Sequence, residues 1–473
     1  VAHDGEGWEL HPHRVLPADP TIRAIAATVY DATRTLPIVS MHGHVDVEML
    51  AADAPFTNPA DVLVVPDHYV VRMLVSQGVP HAAVGPLKDA GDRDPRDVWR
   101  TFCEHWYAFR GTPTRFWFEH VLIEVLGVTE RPSAESADRI YDHICERFES
   151  PEMRPLALLD RFGLEVIATT DHATATLAEH AILAERGLGD RVVPTFRPDH
   201  LLEIGNRHWG EAVSALSQRA DLEVDSYPAY LAALRRRRRT FIEAGARATD
   251  HGHFSAHIEP MTDADAERIF ADALRGDVTP AQAHAFIGHM LFEMARMSTE
   301  DGLTMQLRSG VVRNHSTEMH EQAGHDLGYD IPVAAEFTRN LRPLLEAFGH
   351  HPRLRFIVFT VDETVYSREL APLAGVYPAM KLGAPWWFLD TPDAMRRFRE
   401  AVTDTAGFYN TTGFVDDTRA YFSIPARHDL SRRIDASFLA RLVAEHRLDL
   451  DEAVETAVDL AYRLPQQNYP PAR

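Results

Sequence analysis

Two histidines one residue apart close an apolar run: His42 and His44 follow PIVSM at residues 37–41. On a β-strand, positions i and i+2 point to the same side. Two imidazoles placed this way can grip one borderline divalent cation and leave room for further ligands and for substrate. Near the other end of the chain, Asp416 and Asp417 offer a carboxylate, and Asp417 is the expected ligand because it shares a strand face with Arg419. A set of two nitrogens and one oxygen suits zinc or manganese. Arg197, Arg308, Arg313 and Arg419 offer paired N–H groups for a carboxylate, and the adjacent Trp386 and Trp387 offer an apolar face for a ring. This combination points to metal-assisted chemistry on a small organic anion.

The elements that must position these groups follow from the hydrophobic pattern. Eight short apolar runs are expected as strands, at residues 37–44, 164–172, 191–198, 246–253, 303–313, 355–362, 377–387 and 412–422. Helix-length segments separate most of them, at residues 173–186, 263–297, 332–348 and 392–406. Strand–helix alternation of this kind predicts a parallel (β/α)₈ barrel, whose chemistry sits at the C-terminal ends of the strands. The expected strand ends hold His42 and His44, Asp171, Asp199, His251, Arg308, Asp362, Trp386 and Asp417. For Asp171, Asp199 and Asp362 a helix-capping or turn role is the simpler reading. An aromatic-rich stretch at residues 59–155 has helical periodicity throughout and is expected to cap the barrel mouth. The expected organisation is an N-terminal segment with the first strand (1–58), the helical insertion (59–155), the remaining barrel (156–426) and C-terminal helices (427–473).

The chain has 473 residues and a formal charge of −22, which argues against nucleic acid and anionic membranes as partners. The Arg235–Arg239 run, in a helical stretch, is therefore expected to be a solvated or salt-bridged face. No apolar run is long enough to cross a membrane, and the two cysteines, Cys103 and Cys145, imply no disulfide framework. A reducing, cytoplasmic location is expected, so the sequons at Asn314 and Asn410 are discounted.

Taken together, the motifs resemble the uronate isomerases (the glucuronate isomerase family), a branch of the amidohydrolase superfamily. The resemblance runs from Leu36 to about Tyr469. It rests on HGH at 42–44, DHY at 67–69 with Arg72, TPTRFWFEHVLIE at 112–124, ATTD at 168–171, PTFRPD at 194–199 and TDHG at 249–252. It continues with MQLRSG at 305–310, RN at 313–314, WWF at 386–388, DDTR at 416–419 and RH at 427–428. Departures from the family pattern include Ser40 where an aspartate is usual and Arg308 where a histidine is usual. The resemblance implies an amidohydrolase-type barrel with a helical insertion after the first strand and one bound divalent metal, zinc first, with manganese or cobalt as alternatives.

It further implies interconversion of an aldose uronate, such as D-glucuronate or D-galacturonate, with its ketose through an enediolate. His42, His44 and Asp417 match the metal set, with His251 as a further candidate ligand. His68, Tyr69, Arg197, Trp386, Trp387 and Arg419 match residues that touch substrate or move protons, and Arg308 and Arg313 are added as carboxylate partners. Asp417, Tyr69 and His68 are the candidate acids and bases, with Arg419 acting on their charge. A homo-oligomer is expected. The rival reading on the same scaffold is a metal-dependent hydrolase or decarboxylase of another small acid, which the Arg308 replacement favours.

Overall fold

The apolar residues after Pro37 form the first strand (Ile38–Ser40), buried along its whole length. In this computed structural model, which describes residues 8–87 and 93–472, it pairs in parallel with a second strand (Leu164–Ala168), and that with a third (Val192–Val193). Each of the latter two resumes after a short break, at Asp171–His172 and Phe196–Arg197. The resumed segments lead in parallel to the fourth strand (Ala248–His251), the fifth (Thr304–Ser309), the sixth (Phe356–Thr360) and the seventh (Met380–Leu382).

The eighth run closes the barrel without becoming a regular strand. It joins the seventh through a bridge between Leu382 and Thr411 and a Thr412 N–H bond to the Leu382 carbonyl (3.0 Å). It joins the first through N–H bonds from Asp417 to the His42 carbonyl (3.2 Å) and from His44 to the Thr418 carbonyl (2.9 Å). The expected strand at 412–422 is broken because Gly413 (φ +77°) and Asp417 (φ +42°) leave the extended region. The seventh strand stops at Leu382, short of the expected 387, where Pro385 has no N–H to give a ladder.

Inward-facing Val39, Met41, Val166, Ala168, Val193, Ala248, Ile357 and Phe359 fill the barrel. Its lower end is plugged by the C-terminus: the Tyr469 hydroxyl donates to Gln306 Oε1 (3.0 Å), and Thr304 Oγ1 to the Asn468 carbonyl (2.8 Å). The outer faces of the strands pack under helices that include Tyr227–Glu243, Pro280–Asp301 and Pro392–Ala406. On the first of these, Arg237 is buried and caps the carbonyls of Ala173 (2.9 Å) and Ala175 (2.7 Å), while Arg238 pairs with Asp301 (2.6 Å). The arginine run is thus partly structural, not a basic patch.

Between the first two strands the chain is helical, and its aromatics Trp99, Phe102, Trp106, Phe109 and Phe118 form one core with Ile38, Leu164 and Val192 of the first three strands. One helix of this layer, His68–Ser76, is started by Asp67, whose carboxylate accepts the Tyr69 N–H (2.8 Å). That cap fixes His68 and Tyr69 at the helix's first turn, facing the barrel mouth. No helix among the described residues is long and apolar enough to cross a membrane.

Candidate active site

His42, His44 and Asp417 converge at the upper end of the closing seam. Asp417 Oδ1 lies 3.0 Å from His42 Nε2 and 3.1 Å from His44 Nε2, and the two imidazoles stand edge to face with centroids 5.1 Å apart. Asp417 reaches this position from a left-handed backbone, a conformation aspartate tolerates better than bulky residues do. Burial pushes the His44 imidazole down to about 3, so it is neutral at physiological pH. Burial opposes ionisation of Asp417, but its close contacts with His42 and His44 and the charge of Arg308 hold it well below the ordinary carboxylate range. A bare imidazole beside an ionised carboxylate is the donor set a divalent cation requires. The separations of 3.0 and 3.1 Å are also those of neighbouring ligands around an ion with bonds of about 2.0–2.2 Å. The three residues fit such an ion.

Beneath them lies a buried charge network. Arg308, on the inner face of the fifth strand, donates through Nη1 to His42 Nε2 and through Nη2 to Asp250 Oδ2. It lies 3.4 Å from Asp417 Oδ1, with its guanidinium over the Trp386 ring (4.8 Å to the centroid). Asp250 is fully buried. Burial would raise its pKa, but Arg308, His42 and Arg197 hold it well below the usual range. Arg197 Nε donates to Asp199 Oδ2 (2.8 Å) and stands 3.6 Å from Asp250 Oδ2.

Above this floor opens a cavity of about 880 Å³, lined by His44, His68, Tyr69, Arg197, Arg313, Trp387, Asp417 and Arg419 among others. Burial lowers the His68 imidazole to about 4 and raises the Tyr69 phenol far above its ordinary range. His68 is therefore neutral and Tyr69 protonated at neutral pH. The Tyr69 ring is held against Trp117 (5.3 Å) and over Arg427 (5.2 Å), which pairs with Asp390 (2.5 Å). Arg419 pairs with Asp326 (2.8 Å), and Arg313 pairs with Asp330 (2.9 Å) while lying over Trp387 (4.8 Å). Trp387 has φ +52°, a costly conformation for a bulky residue, which turns its ring into the mouth.

Most residues singled out in the sequence meet here, but three take other positions. His251 stands apart from His42, His44 and Asp417: its Nε2 bonds Thr249 Oγ1 (3.0 Å), and its ligating neighbours are Asp199 and His253. Arg308, expected on the wall as a carboxylate clamp, is only 4% exposed and tied into the floor. Trp386 is largely buried beneath it and meets the cavity only at its edge, while Trp387 presents more of its ring. Asp250 lies in the TDHG motif without an expected role, yet strand alternation marks it: Ala248 faces the barrel interior, so Asp250 does too, and His251 faces away. Arg427 lies in the RH motif without an expected role, and Asp390 and Asp326 have no local signal; tertiary packing brings all three to the site.

Comparison with known proteins agrees with this geometry. Residues 21–469 match the family model described as glucuronate isomerase. The chain is 50% identical over 463 residues to a uronate isomerase of Xanthomonas campestris pv. campestris (strain 8004), covering 97% of this chain and 98% of that protein. It is also 50% identical over 462 residues to a uronate isomerase of Phenylobacterium zucineum (strain HLK1), with 97% and 96% coverage. The crystal structure of glucuronate isomerase from Caulobacter crescentus superposes with a TM-score of 0.96 at 48% identity, covering 98% of this chain and 97% of that one. That of uronate isomerase from Thermotoga maritima gives 0.91 at 24% identity, with 98% and 100% coverage, and supports the fold. With half of its residues shared end to end and its metal-type triad assembled on the same barrel, the chain belongs to the glucuronate isomerase family.

Proposed function

We propose that this protein is a metal-dependent aldose–ketose isomerase of hexuronates, converting D-glucuronate to D-fructuronate and D-galacturonate to D-tagaturonate. The observation that carries the reading is the convergence of His42, His44 and Asp417 with cationic Arg197, Arg313 and Arg419 on one cavity, in a chain of this family. A small sugar acid is the class of ligand this cavity suits. Zinc is the proposed ion, with manganese or cobalt as substitutes, and the cytoplasm the proposed location.

The reaction moves a proton from C2 to C1 through a cis-enediolate. His42, His44 and Asp417 would hold the divalent ion, which would supply Lewis-acid stabilisation of the charge that develops on the sugar. Arg197 clamps the C6 carboxylate: only its Nε is engaged in hydrogen bonds among the described residues, leaving both Nη groups for the substrate. Trp387 bounds the sugar face beside Arg313. Asp417, ionised, and His68, neutral, are the groups able to accept the C2 proton, while Tyr69, held protonated, donates to the developing enediolate or to C1. Arg419, two residues from Asp417, stabilises negative charge on that rim. Family membership does not favour the hydrolase alternative. Incubation of metal-loaded enzyme with either uronate in D₂O, followed by NMR, tests the assignment. Ketose carrying carbon-bound deuterium is expected, and inertness toward both sugars would overturn it.

A further inference from the structure

We propose that Asp199, His251 and His253 form a second divalent-cation site, on the outer side of the fourth strand and separate from His42, His44 and Asp417. One ligating atom from each lies within 4.8 Å of the others, and the two histidines are almost completely enclosed (0% and 5% exposed). Three buried atoms in this cluster have no hydrogen-bond partner: Asp199 Oδ1, His251 Nδ1 and His253 Nε2. Each such orphan is a desolvated group whose lost hydrogen bond to water nothing replaces. A proton shared by Asp199 Oδ1 and His253 Nε2, which are 3.3 Å apart, would leave His251 Nδ1 unanswered. One cation satisfies all three.

The surroundings prepare the three atoms for that task. Thr249 Oγ1 holds His251 Nε2 at 3.0 Å, and Glu203 faces His253 Nδ1 at 3.9 Å. His251 is thus held by an oxygen on one nitrogen, as ligating histidines are, leaving Nδ1 for a ligand, and His253 presents Nε2 to Asp199 Oδ1 at 3.3 Å. Asp199 Oδ2 is already occupied by Arg197 Nε (2.8 Å) and by the Gly252 N–H (3.0 Å), which leaves Oδ1 free to ligate. Gly252 permits this approach: a Cβ there would stand 2.7 Å from Arg197 Nη2 and 3.3 Å from Asp199 Oδ2. Two imidazoles and a carboxylate select a borderline ion such as Zn²⁺, and a side chamber of about 260 Å³, lined by His253 and Glu203 and also by Arg308, Arg313 and Trp386, gives it access past Glu203. Bound there, the ion would fix the carboxylate that orients Arg197 while touching no substrate.

Zinc stoichiometry distinguishes this site from the first. Full-length protein, stripped with chelator and reloaded with Zn²⁺, should carry two equivalents by mass spectrometry after dialysis, and H253Q one. H42A should also retain one equivalent, and H42A/H253Q none. In cobalt-loaded H42A the visible absorption of a four- or five-coordinate Co²⁺ should appear and should vanish in the double variant. Circular dichroism confirms which variants are folded, and D199N replaces H253Q if the latter is not. A single equivalent in the wild type, as a buried water bridging the three atoms would give, overturns the proposal; so does an H42A protein that is folded but free of zinc. Neither outcome depends on the isomerase reading, which the D₂O assay tests separately.

Discussion

Replacing Asp250 by asparagine should destabilise the protein far more than loss of one carboxylate at the surface would. Asp250 is fully buried and compensates Arg308, itself 4% exposed, while standing 3.6 Å from Arg197. The amide fills the same volume, so packing is preserved and the change isolates charge. Arg308 would then face His42 with Asp417, 3.4 Å away, as its remaining anionic neighbour. Removing one member of a buried pair typically costs about 3–5 kcal/mol, because the partner is left uncompensated. Urea unfolding of metal-free wild type, D250N, R308M and D250N/R308M measures it. The double variant should cost less than the two single ones summed, with a coupling of at least about 2 kcal/mol. If D250N falls within 0.5 kcal/mol of wild type, or if the two substitutions are additive, the network does not hold the barrel mouth as argued.

Three further outcomes follow from the same geometry. Arg197→Met should raise KM for the uronate about 10- to 100-fold, the loss of one charge-assisted contact of about 1.5–3 kcal/mol, while kcat changes less; an unchanged KM would remove Arg197 as the clamp. Tyr69→Phe should lower kcat about 10²- to 10³-fold with metal content intact, as read from steady-state rates and zinc analysis, and a loss under threefold would strike Tyr69 from the proton path. His289 is buried beneath the Tyr227 hydroxyl (2.6 Å) and pushed down to about 4 by that burial. Its folded pKa lies below the unfolded value, so its contribution is fully present above about pH 6.5 and is lost as pH falls toward 4; at pH 5 the loss is about 2 kcal/mol. Wild-type stability should therefore drop between pH 7.5 and pH 5 by about 2 kcal/mol more than that of H289Q, and parallel curves would refute the assignment.

What was legible in the sequence was whatever local chemistry determines. The apolar run before His42 announces a strand, and HGH at its end announces two imidazoles that could share one ligand. The site's longer-range partners depend on the barrel's closure and on helices packed from elsewhere. Asp417 is the intermediate case. Its identity was legible, but the left-handed backbone that aims it (φ +42°) also interrupts the strand that alternation predicts. Arg308 shows the opposite failure: its type suits a substrate carboxylate, yet its strand position places it inside the barrel, where Asp250 claims it first. Residue type told what each group could bind, and the face of the strand decided what it does bind.

The fourth strand makes that principle concrete. Asp250 and His251 are neighbours in the chain, but the pleat sends them to opposite faces. Asp250 joins the inner network under His42, and His251 joins Asp199 and His253 outside. Arg197 links the two sides, with Nε 2.8 Å from Asp199 and 3.6 Å from Asp250. Its free Nη groups are thus aimed by two carboxylates from different elements, and a shift in either would turn the guanidinium. A guanidinium held at one atom by two anions has little rotational freedom left to lose, so if Arg197 is the proposed carboxylate clamp, its orientation is built into the fold before any ligand enters.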